Sequence, residues 1–251
     1  MSCVPVRGCR IGKGRPKVIL PIVERTEAAI LEKAAAFSTL CADCVEWRID
    51  CFEGAKDLPA IVHCAAKLRV ALKDKLLLFT FRTKAEGGKV ALSHEEYLHF
   101  IRTVLATDCA DLIDIEFFTA GAELPALIEE AHTAGAAVVC SSHDFHKTPP
   151  RAELVSRMVA MQQAGADLPK LAVMPQSRAD VLELLAATAE MADRHPETPI
   201  ITMSMGALGA VSRLAGEAFG SAMTFANPGQ ASAPGQVSLD IVNEVLDALH
   251  L

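Results

Sequence analysis

The feature that most constrains this chain is a regular alternation of short apolar segments with helix-like segments. Between the apolar segments lie stretches rich in Ala, Leu and Glu, whose apolar residues fall three and four positions apart, as in an amphipathic helix. Strands that alternate with helices predict a parallel sheet with helical crossovers. The predicted strands cover 18–23, 45–49, 76–81, 112–117, 137–141, 170–174, 199–204 and 222–225, and clear helical stretches cover 27–39, 124–134, 151–164 and 179–193.

Eight such units fit the size and order of a (β/α)8 TIM barrel. We expect one α/β barrel domain over residues 1–251, with the segment before Lys17 capping the barrel floor and a last helix beginning near Ser238. The alternative is an open, doubly wound sheet. No Gly-x-Gly-x-x-Gly follows the first predicted strand, where a dinucleotide fold would have its phosphate-binding turn, so the barrel is favoured.

Composition narrows the class of ligand. The formal net charge is −7 and the chain has one Trp and one Tyr, which argues against a nucleic-acid partner, because such a partner requires a basic face with aromatic residues. No apolar stretch is long enough to predict a membrane span. The eight cysteines are scattered, which favours reduced thiols. We therefore expect a cytoplasmic protein with a small-molecule substrate.

A lysine within an apolar segment is the first candidate for chemistry. Lys170 lies in the sixth predicted strand, and His143 lies just after the fifth. Adjacent barrel strands would bring an amine beside an imidazole. Desolvation of a buried lysine favours the neutral amine, which can form a Schiff base with a carbonyl. The alternative is a lysine that extends to solvent at the start of a strand.

The turn after the fifth strand also contains His146, and Cys140 precedes it. These residues could suggest a metal site together with His143, but two histidines three positions apart without a further ligand set make this a weak indication. A structural role for His146 is favoured, and we expect no metal.

Charged residues at other strand ends suggest substrate contacts. Glu46 and Arg48 alternate with apolar residues, so both charges lie on one face of the second strand. They are either substrate ligands or a structural ion pair. Arg82 ends the third strand and is placed to meet an anion. Glu86 follows in a loop beside two glycines, where it could orient a histidine or be an ordinary solvated charge.

The last two strands are followed by loops of different character. A glycine-containing loop after the seventh strand leads into a helix with Arg213 near its start, an arrangement that favours a carboxylate. Met203 and Met205 are expected to pack against the substrate or the core. The loop over 227–236 contains Gly, Pro, Ser232 and Gln236; it is predicted to be a closing lid with neutral hydrogen-bonding groups, or else a passive linker.

Taken together, these segments resemble type I 3-dehydroquinate dehydratases over nearly the whole chain and in the family's order. The matching motifs are Glu46-Trp47-Arg48-Ile49-Asp50, Phe79-Thr80-Phe81-Arg82, Glu86-Gly87-Gly88, Ser142-His143-Asp144-Phe145-His146, Pro169-Lys170-Leu171-Ala172-Val173-Met174-Pro175, Ser212-Arg213 and Ala231-Ser232-Ala233-Pro234-Gly235-Gln236. The resemblance implies a homodimeric barrel lyase of the shikimate pathway. Such an enzyme dehydrates 3-dehydroquinate to 3-dehydroshikimate with neither cofactor nor metal.

The resemblance also implies a role for each matching residue. Lys170 would form the Schiff base, His143 would move the protons, and Glu86 would orient and tune the imidazole. Arg213 would bind the substrate carboxylate. The remaining contacts would come from Glu46, Arg48, Arg82, Ser232 and Gln236, with the pocket shaped by Met203, Met205 and Phe145. One departure is Pro21, where several family members carry a serine.

Two other functions compete with this interpretation. A class I aldolase-like barrel would share the lysine chemistry but would hold a substrate phosphate after the seventh and eighth strands, where this chain has the 231–236 segment instead. A ligand-binding barrel with a degenerate site would have lost Lys170 or His143, and both are present.

Overall fold

The computed structural model describes residues 2–229 and 235–251. Eleven strands lie in this part of the chain, and eight of them, β3 to β10, correspond one by one to the predicted strands. The strands are β1 (Val4–Val6), β2 (Cys9–Ile11), β3 (Lys17–Ile22), β4 (Cys44–Arg48), β5 (Leu76–Thr80), β6 (Leu112–Glu116), β7 (Ala137–Asp144), β8 (Leu168–Val173), β9 (Ile201–Ser204), β10 (Met223–Asn227) and β11 (Val237–Ser238).

The strands from β3 to β10 form a parallel sheet that curls into a closed barrel. Its order is β11-β10-β3-β4-β5-β6-β7-β8-β9, so chain neighbours are also neighbours in space. The two ends meet where Ile200 forms a parallel bridge with Ser221, and the backbone N–H of Ala222 donates to the Ile200 carbonyl at 2.8 Å. The predicted barrel is confirmed, and the open sheet is excluded.

Helices surround the barrel, and the predicted stretches agree with the observed ones to within about two residues at most ends. Two further long helices, α2 and α3, and the short helices α8 and α9 fall in segments where the sequence predicted no strand. The helices are α1 (Glu27–Phe37), α2 (Leu58–Leu72), α3 (His94–Leu105), α4 (Phe117–Ala120), α5 (Leu124–Thr133), α6 (Arg151–Gln163), α7 (Arg178–Arg194), α8 (Val211–Leu214), α9 (Gly216–Phe219) and α10 (Leu239–Ala248). None of the helices in the described residues is long and apolar enough to cross a membrane.

Local capping explains where several helices begin. Ser93 and Glu96 form a reciprocal capping box at the start of α3, and Ser177 and Asp180 do the same for α7. Each box satisfies backbone N–H groups that have no partner within the first helical turn. Ser238 precedes α10 as predicted, although its side chain makes no capping hydrogen bond.

The N-terminal segment closes the bottom of the barrel, as the sequence predicted. Strands β1 and β2 form an antiparallel hairpin, and Val6 and Ile11 pack in the same apolar cluster as inward residues of the barrel strands. The hairpin is also tied down by charge, because Arg7 Nε donates to Asp111 Oδ1 at 2.6 Å. The described residues thus close this end of the barrel, and the carboxyl ends of the strands lie at the opposite end, where barrel enzymes have their active sites.

Candidate active site

The alternation of side chains along the strands sorts apolar residues outward and polar residues into the upper barrel. In β4, Val45 and Trp47 belong to the core between sheet and helices, whereas Cys44 belongs to the barrel interior. Glu46 and Arg48 share the parity of Cys44 and therefore point inward. The inner layer near the floor is apolar, and the layers above it carry charge.

These upper layers line a cavity of about 410 Å³. Residues from seven of the eight barrel strands or from the segments that follow them contribute, all except β6, which places the cavity at the carboxyl ends of the strands. Its lining consists of Val23, Glu46, Arg48, Cys51, Arg82, Gly87, Lys89, His143, Phe145, Lys170, Ala172, Met203, Met205, Arg213, Phe225 and Gln236.

Lys170 is buried within this cavity, with 3% of its surface exposed. Its Nζ atom donates to Asp114 Oδ2 at 3.0 Å and lies 4.9 Å from the centre of the Phe225 ring. The ring face attracts a cation. The lysine therefore does not extend to solvent. Its surroundings are not purely apolar, because the Asp114 carboxylate is in direct contact with the amine.

Asp114 belongs to a buried network that extends from the segment after β5 across β6 and β7 to Lys170 of β8. Arg82 donates to Asp114 Oδ2 and to Glu116 Oε1, both at 2.8 Å, and Ser141 donates to Asp114 Oδ1 at 2.6 Å. Burial alone would raise the pKa of Asp114, but Arg82 and Lys170 outweigh it and lower that pKa well below its usual range. Asp114 is therefore ionised at neutral pH.

His143 is held by Glu86 from the loop after β5. Its Nδ1 atom lies 2.8 Å from Glu86 Oε2, and its backbone N–H donates to the same oxygen at 3.0 Å. Burial, together with the positive charges of Arg82 and Lys170, lowers the pKa of His143 well below its ordinary value. Burial also raises the pKa of Glu86 to about 8. The imidazole is thus neutral near pH 7 and fixed in orientation by two contacts.

Two glycines allow the loop that carries Glu86 to fold back under Arg82. Gly87 has φ +87°, and a Cβ there would overlap the Phe145 ring; a Cβ on Gly88 would overlap the carbonyl group of Arg82. The Gly88 N–H donates to the Thr83 carbonyl at 2.8 Å. This compact turn brings the Glu86 carboxylate to β7.

The charged residues of β4 are held by neighbours in the same wall. Glu46 accepts a hydrogen bond of 2.8 Å from Thr80 Oγ1. Arg48 is paired with Asp50 through Nε at 2.8 Å and Nη2 at 2.9 Å. Asp50 also accepts the backbone N–H of Lys89 at 3.1 Å, so it connects this wall to the loop after Glu86.

Arg213 lines the cavity from the segment that follows β9. It lies in α8, is 2% exposed, and its Nη1 atom is 3.6 Å from Met203 Sδ. Burial lowers the pKa of Arg213 to about 10. An anion in the cavity would therefore stabilise its charged form.

A barrel with an inward lysine beside a histidine–carboxylate pair has counterparts among known proteins. The family model of type I 3-dehydroquinase matches residues 18–251. The chain belongs to the type I 3-dehydroquinase family.

Individual relatives agree with this assignment and match over almost their full length. The 3-dehydroquinate dehydratase of Bacillus licheniformis is 48% identical over 98% of this chain and 97% of the relative. Among solved structures, the type I 3-dehydroquinate dehydratase of Clostridium difficile with covalently modified comenic acid superposes with a TM-score of 0.96, at 43% identity, over 99% of this chain and 98% of that chain. The Geobacillus kaustophilus 3-dehydroquinate dehydratase superposes with a TM-score of 0.95, at 37% identity, over 99% and 96% of the two chains.

Most residues that the sequence singled out as type I dehydroquinase site residues come together in the structure. Ten of them line the cavity: Glu46, Arg48, Arg82, His143, Phe145, Lys170, Met203, Met205, Arg213 and Gln236. Glu86 lies behind His143 and contacts it directly. Ser232 lies outside the described residues.

The metal-site alternative of the sequence is not supported by the geometry. Cys140 is in the outer core between sheet and helices, whereas His143 points into the barrel, and His146 is exposed. The three side chains therefore do not share a site. In residues 2–229 and 235–251 no group of three or more His, Cys, Asp or Glu side chains could hold a metal ion.

Sequence reasoning missed several residues of this dehydroquinase cavity and of the network beneath it. The sequence did contain a signal for Asp114 and Glu116. Charged and apolar residues alternate in Leu112-Ile113-Asp114-Ile115-Glu116, as they do in the second predicted strand. The same alternation of side chains therefore places both carboxylates inward. Phe225 and Ser141 carried no comparable signal, since an aromatic or small residue in a strand is ordinary. The missed residues are Asp50, Cys51, Lys89, Asp114, Glu116, Ser141 and Phe225.

Proposed function

We propose that the protein dehydrates 3-dehydroquinate to 3-dehydroshikimate, in the shikimate pathway, through an imine on Lys170. The single observation that carries this proposal is the burial of the Lys170 amine in one cavity with the His143–Glu86 pair. Family membership supplies the substrate. The cavity volume of about 410 Å³ suits a small six-membered ring.

In this proposal the substrate is oriented by groups from different parts of the cavity lining. Arg213 binds the substrate carboxylate with its buried guanidinium, a pairing that a planar fork of donors favours. Glu46, Arg48, Ser232 and Gln236 contact the hydroxyl groups. Met203, Met205 and Phe145 shape the apolar part of the cavity.

Arg82 has a different role in this proposal from the anion-binding role that the sequence suggested. It lines the cavity, but its Nη1 and Nη2 atoms already donate to Glu116 and Asp114. We assign it the task of holding those two carboxylates in place. Any contact of Arg82 with the substrate is then secondary to this task.

The covalent step begins at the Lys170 nitrogen. The Lys170 ammonium first gives up one proton, and the neutral amine then attacks the ketone carbon and forms a C–N bond. The ketone oxygen takes up that proton and one from the nitrogen and leaves as water, which gives a protonated imine. The positive nitrogen withdraws electrons from the adjacent carbon. The C–H bond there is thereby acidified, which makes removal of the proton by a neutral imidazole feasible.

His143 then acts twice. Its Nε2 atom takes the proton from the carbon beside the imine, and the electron pair moves into an enamine. The same atom then gives a proton to the departing hydroxyl, so that water leaves and a conjugated imine remains. Hydrolysis of that imine releases the enone and restores Lys170. Glu86 supports both steps because it fixes the ring and balances its charge.

The direct test is reductive trapping. Borohydride added with 3-dehydroquinate should attach the substrate skeleton to Lys170, as read by peptide mass mapping. Lys170→Ala should lose turnover, followed by ultraviolet absorbance of the enone, while still binding substrate weakly. Lys67→Ala, a surface lysine paired with Glu27, is the matched control. Undiminished turnover by Lys170→Ala would overturn the proposal.

We further propose that the protein is a cytoplasmic homodimer composed of single-domain chains. The dimer and the single domain rest on the family resemblance. The cytoplasmic location is supported by the cysteines, because all eight lie in described residues and carry free thiols, as expected in a reducing compartment. Light scattering coupled to gel filtration tests the dimer, and a monomer at assay concentration would contradict it.

A further inference from the structure

The contact between Lys170 and Asp114 has a consequence for the imine. Nζ is held between the Asp114 carboxylate on one side and the face of Phe225 on the other. Both neighbours attract positive charge. In the proposed reaction Nζ itself becomes the imine nitrogen, so the imine has the same two neighbours.

We propose that Asp114 is the counterion that keeps the imine on Lys170 protonated; this inference rests on the proposed function. A protonated imine has a single N–H, whereas an ammonium group has three. One acceptor in the right place is therefore sufficient, and Asp114 Oδ2 at 3.0 Å from Nζ is that acceptor.

The surroundings of Asp114 equip it to accept this hydrogen bond without taking the proton. The residue is fully buried, Arg82 contacts the same oxygen, and Ser141 donates to the other oxygen. These donors stabilise the ionised carboxylate. Asp114 therefore remains an anion when the imine forms, and the proton stays on nitrogen.

Charge balance within the network supports the same role. Two cationic side chains, Lys170 and Arg82, alternate with two carboxylates, Asp114 and Glu116, in a chain of ion pairs that runs from Lys170 through Asp114 and Arg82 to Glu116. The Glu86 carboxyl group, 3.8 Å from Arg82, is a further neighbour of this chain. Conversion of a lysine ammonium to a protonated imine preserves this balance. An unprotonated imine would leave the carboxylates in excess in a buried site, which is costly.

The proposal predicts a shift in the pH range over which the imine is protonated. Cyanoborohydride reduces protonated imines, so the enzyme can be incubated with 3-dehydroshikimate across a pH series and the reduced Lys170 adduct measured by peptide mass mapping. In Asp114→Asn the pH at which trapping is half-maximal should fall by about 1 to 3 units, the range expected on loss of an adjacent opposite charge.

Two further variants keep the test decisive. Ser141→Ala removes the hydrogen bond to Asp114 Oδ1 and the one that Ser141 Oγ accepts from Arg82 Nη1, but it leaves the Asp114 carboxylate in place. It should move the midpoint in the same direction by less, and it substitutes for Asp114→Asn if that variant does not fold. Thr188→Val is the structural control, because Thr188 is a buried hydroxyl on α7 that bonds to Thr202, away from the cavity lining. Its midpoint should equal that of the wild type.

The outcomes separate this inference from the proposed function. A folded Asp114→Asn protein with the wild-type midpoint would overturn the counterion role, as would a wild-type midpoint in Ser141→Ala if it alone folds. Absence of any Lys170 adduct in the wild type would overturn the imine mechanism itself. A shift in Asp114→Asn that Thr188→Val does not share supports the inference.

Discussion

The Nδ1 atom of His143 lies 2.8 Å from Glu86 Oε2, and that oxygen also accepts the backbone N–H of His143. The carboxylate thus fixes both the ring and the backbone that carries it. When Nδ1–H donates to an ionised Glu86, the lone pair of Nε2 is left for the substrate. One proton is shared between His143 Nδ1 and Glu86 Oε2. If the pair takes up a second proton, that proton lies on Nε2, whichever residue holds the shared one. The pKa of this step therefore belongs to the pair and not to either residue alone.

The first prediction concerns His143 and uses its near neighbour as a control. His143→Ala should lower kcat by about 10²- to 10⁴-fold, the usual contribution of general acid–base catalysis, while the Lys170 adduct can still be trapped at long incubation. His146→Ala, at an exposed position in the same turn, should retain near wild-type turnover. Equal losses in the two variants would indicate damage to the turn and would count against a proton-transfer role for His143.

The second prediction concerns the pH dependence of the reaction. Because burial raises the pKa of Glu86 to about 8, the His143–Glu86 pair should lose its extra proton near that pH, and kcat/KM of the wild type should rise towards it as the base form appears. Glu86→Gln cannot ionise at this position. Its profile should lack the inflection near pH 8 and its kcat should be reduced, as measured by initial rates across the pH range. An inflection retained in Glu86→Gln would assign the titration to another group.

The third prediction concerns stability. The pKa of Glu86 rises from 4.5 to about 8 on folding, chiefly through burial, so its protonated form is favoured in the folded protein. The resulting stabilisation is fully present below pH 4.5 and is lost as the pH rises through 8. The Tm of Glu86→Gln minus that of the wild type should therefore increase between pH 5 and pH 9. A pH-independent difference in calorimetry would contradict the raised pKa.

The fourth prediction concerns recognition of the substrate carboxylate by Arg213. Arg213→Lys preserves the charge but loses the planar pair of donors, so KM should rise by about tenfold with a smaller effect on kcat. Arg213→Gln should raise KM further. Arg178→Gln, a substitution at the exposed start of α7, is the control. Steady-state kinetics with an unchanged KM in both Arg213 variants would place the carboxylate elsewhere.

Several features of the site were predictable because they depend only on strand periodicity. Glu46 and Arg48 lie two residues apart, so they had to share a face, and the chain order of the strands places His143 and Lys170 on neighbours in a barrel. The existence and order of the eight barrel strands were also predictable, since each is a short apolar segment bounded by turns. The prediction that His143 follows the fifth strand was wrong, because β7 extends to Asp144 and pairs His143 with Ala172 of β8. The same rule extends to Asp114 and Glu116, which sequence analysis did not single out.

Other features depend on contacts between residues far apart in the chain. Arg82 was expected to bind a substrate anion, but the fold places Asp114 and Glu116 against its guanidinium. Lys170 was expected to be desolvated by apolar neighbours, but Asp114 lies 3.0 Å from its amine. Neither pairing follows from periodicity, because it depends on which strands become neighbours and on how side chains of different length meet across the barrel.

The sequence by itself determined the alternation of strands and helices, the inward parity of the charged residues, and the family to which the chain belongs. These are local or additive properties, carried by residue spacing and by motifs. Only the tertiary structure decided which inward charges meet: that Glu86 contacts His143 and that Asp114 is shared by Lys170 and Arg82. Closure of the sheet brings these residues to within 3 Å of one another across gaps of 32 to 57 positions, and the barrel's exclusion of water makes the resulting charge pairs strong enough to direct the chemistry.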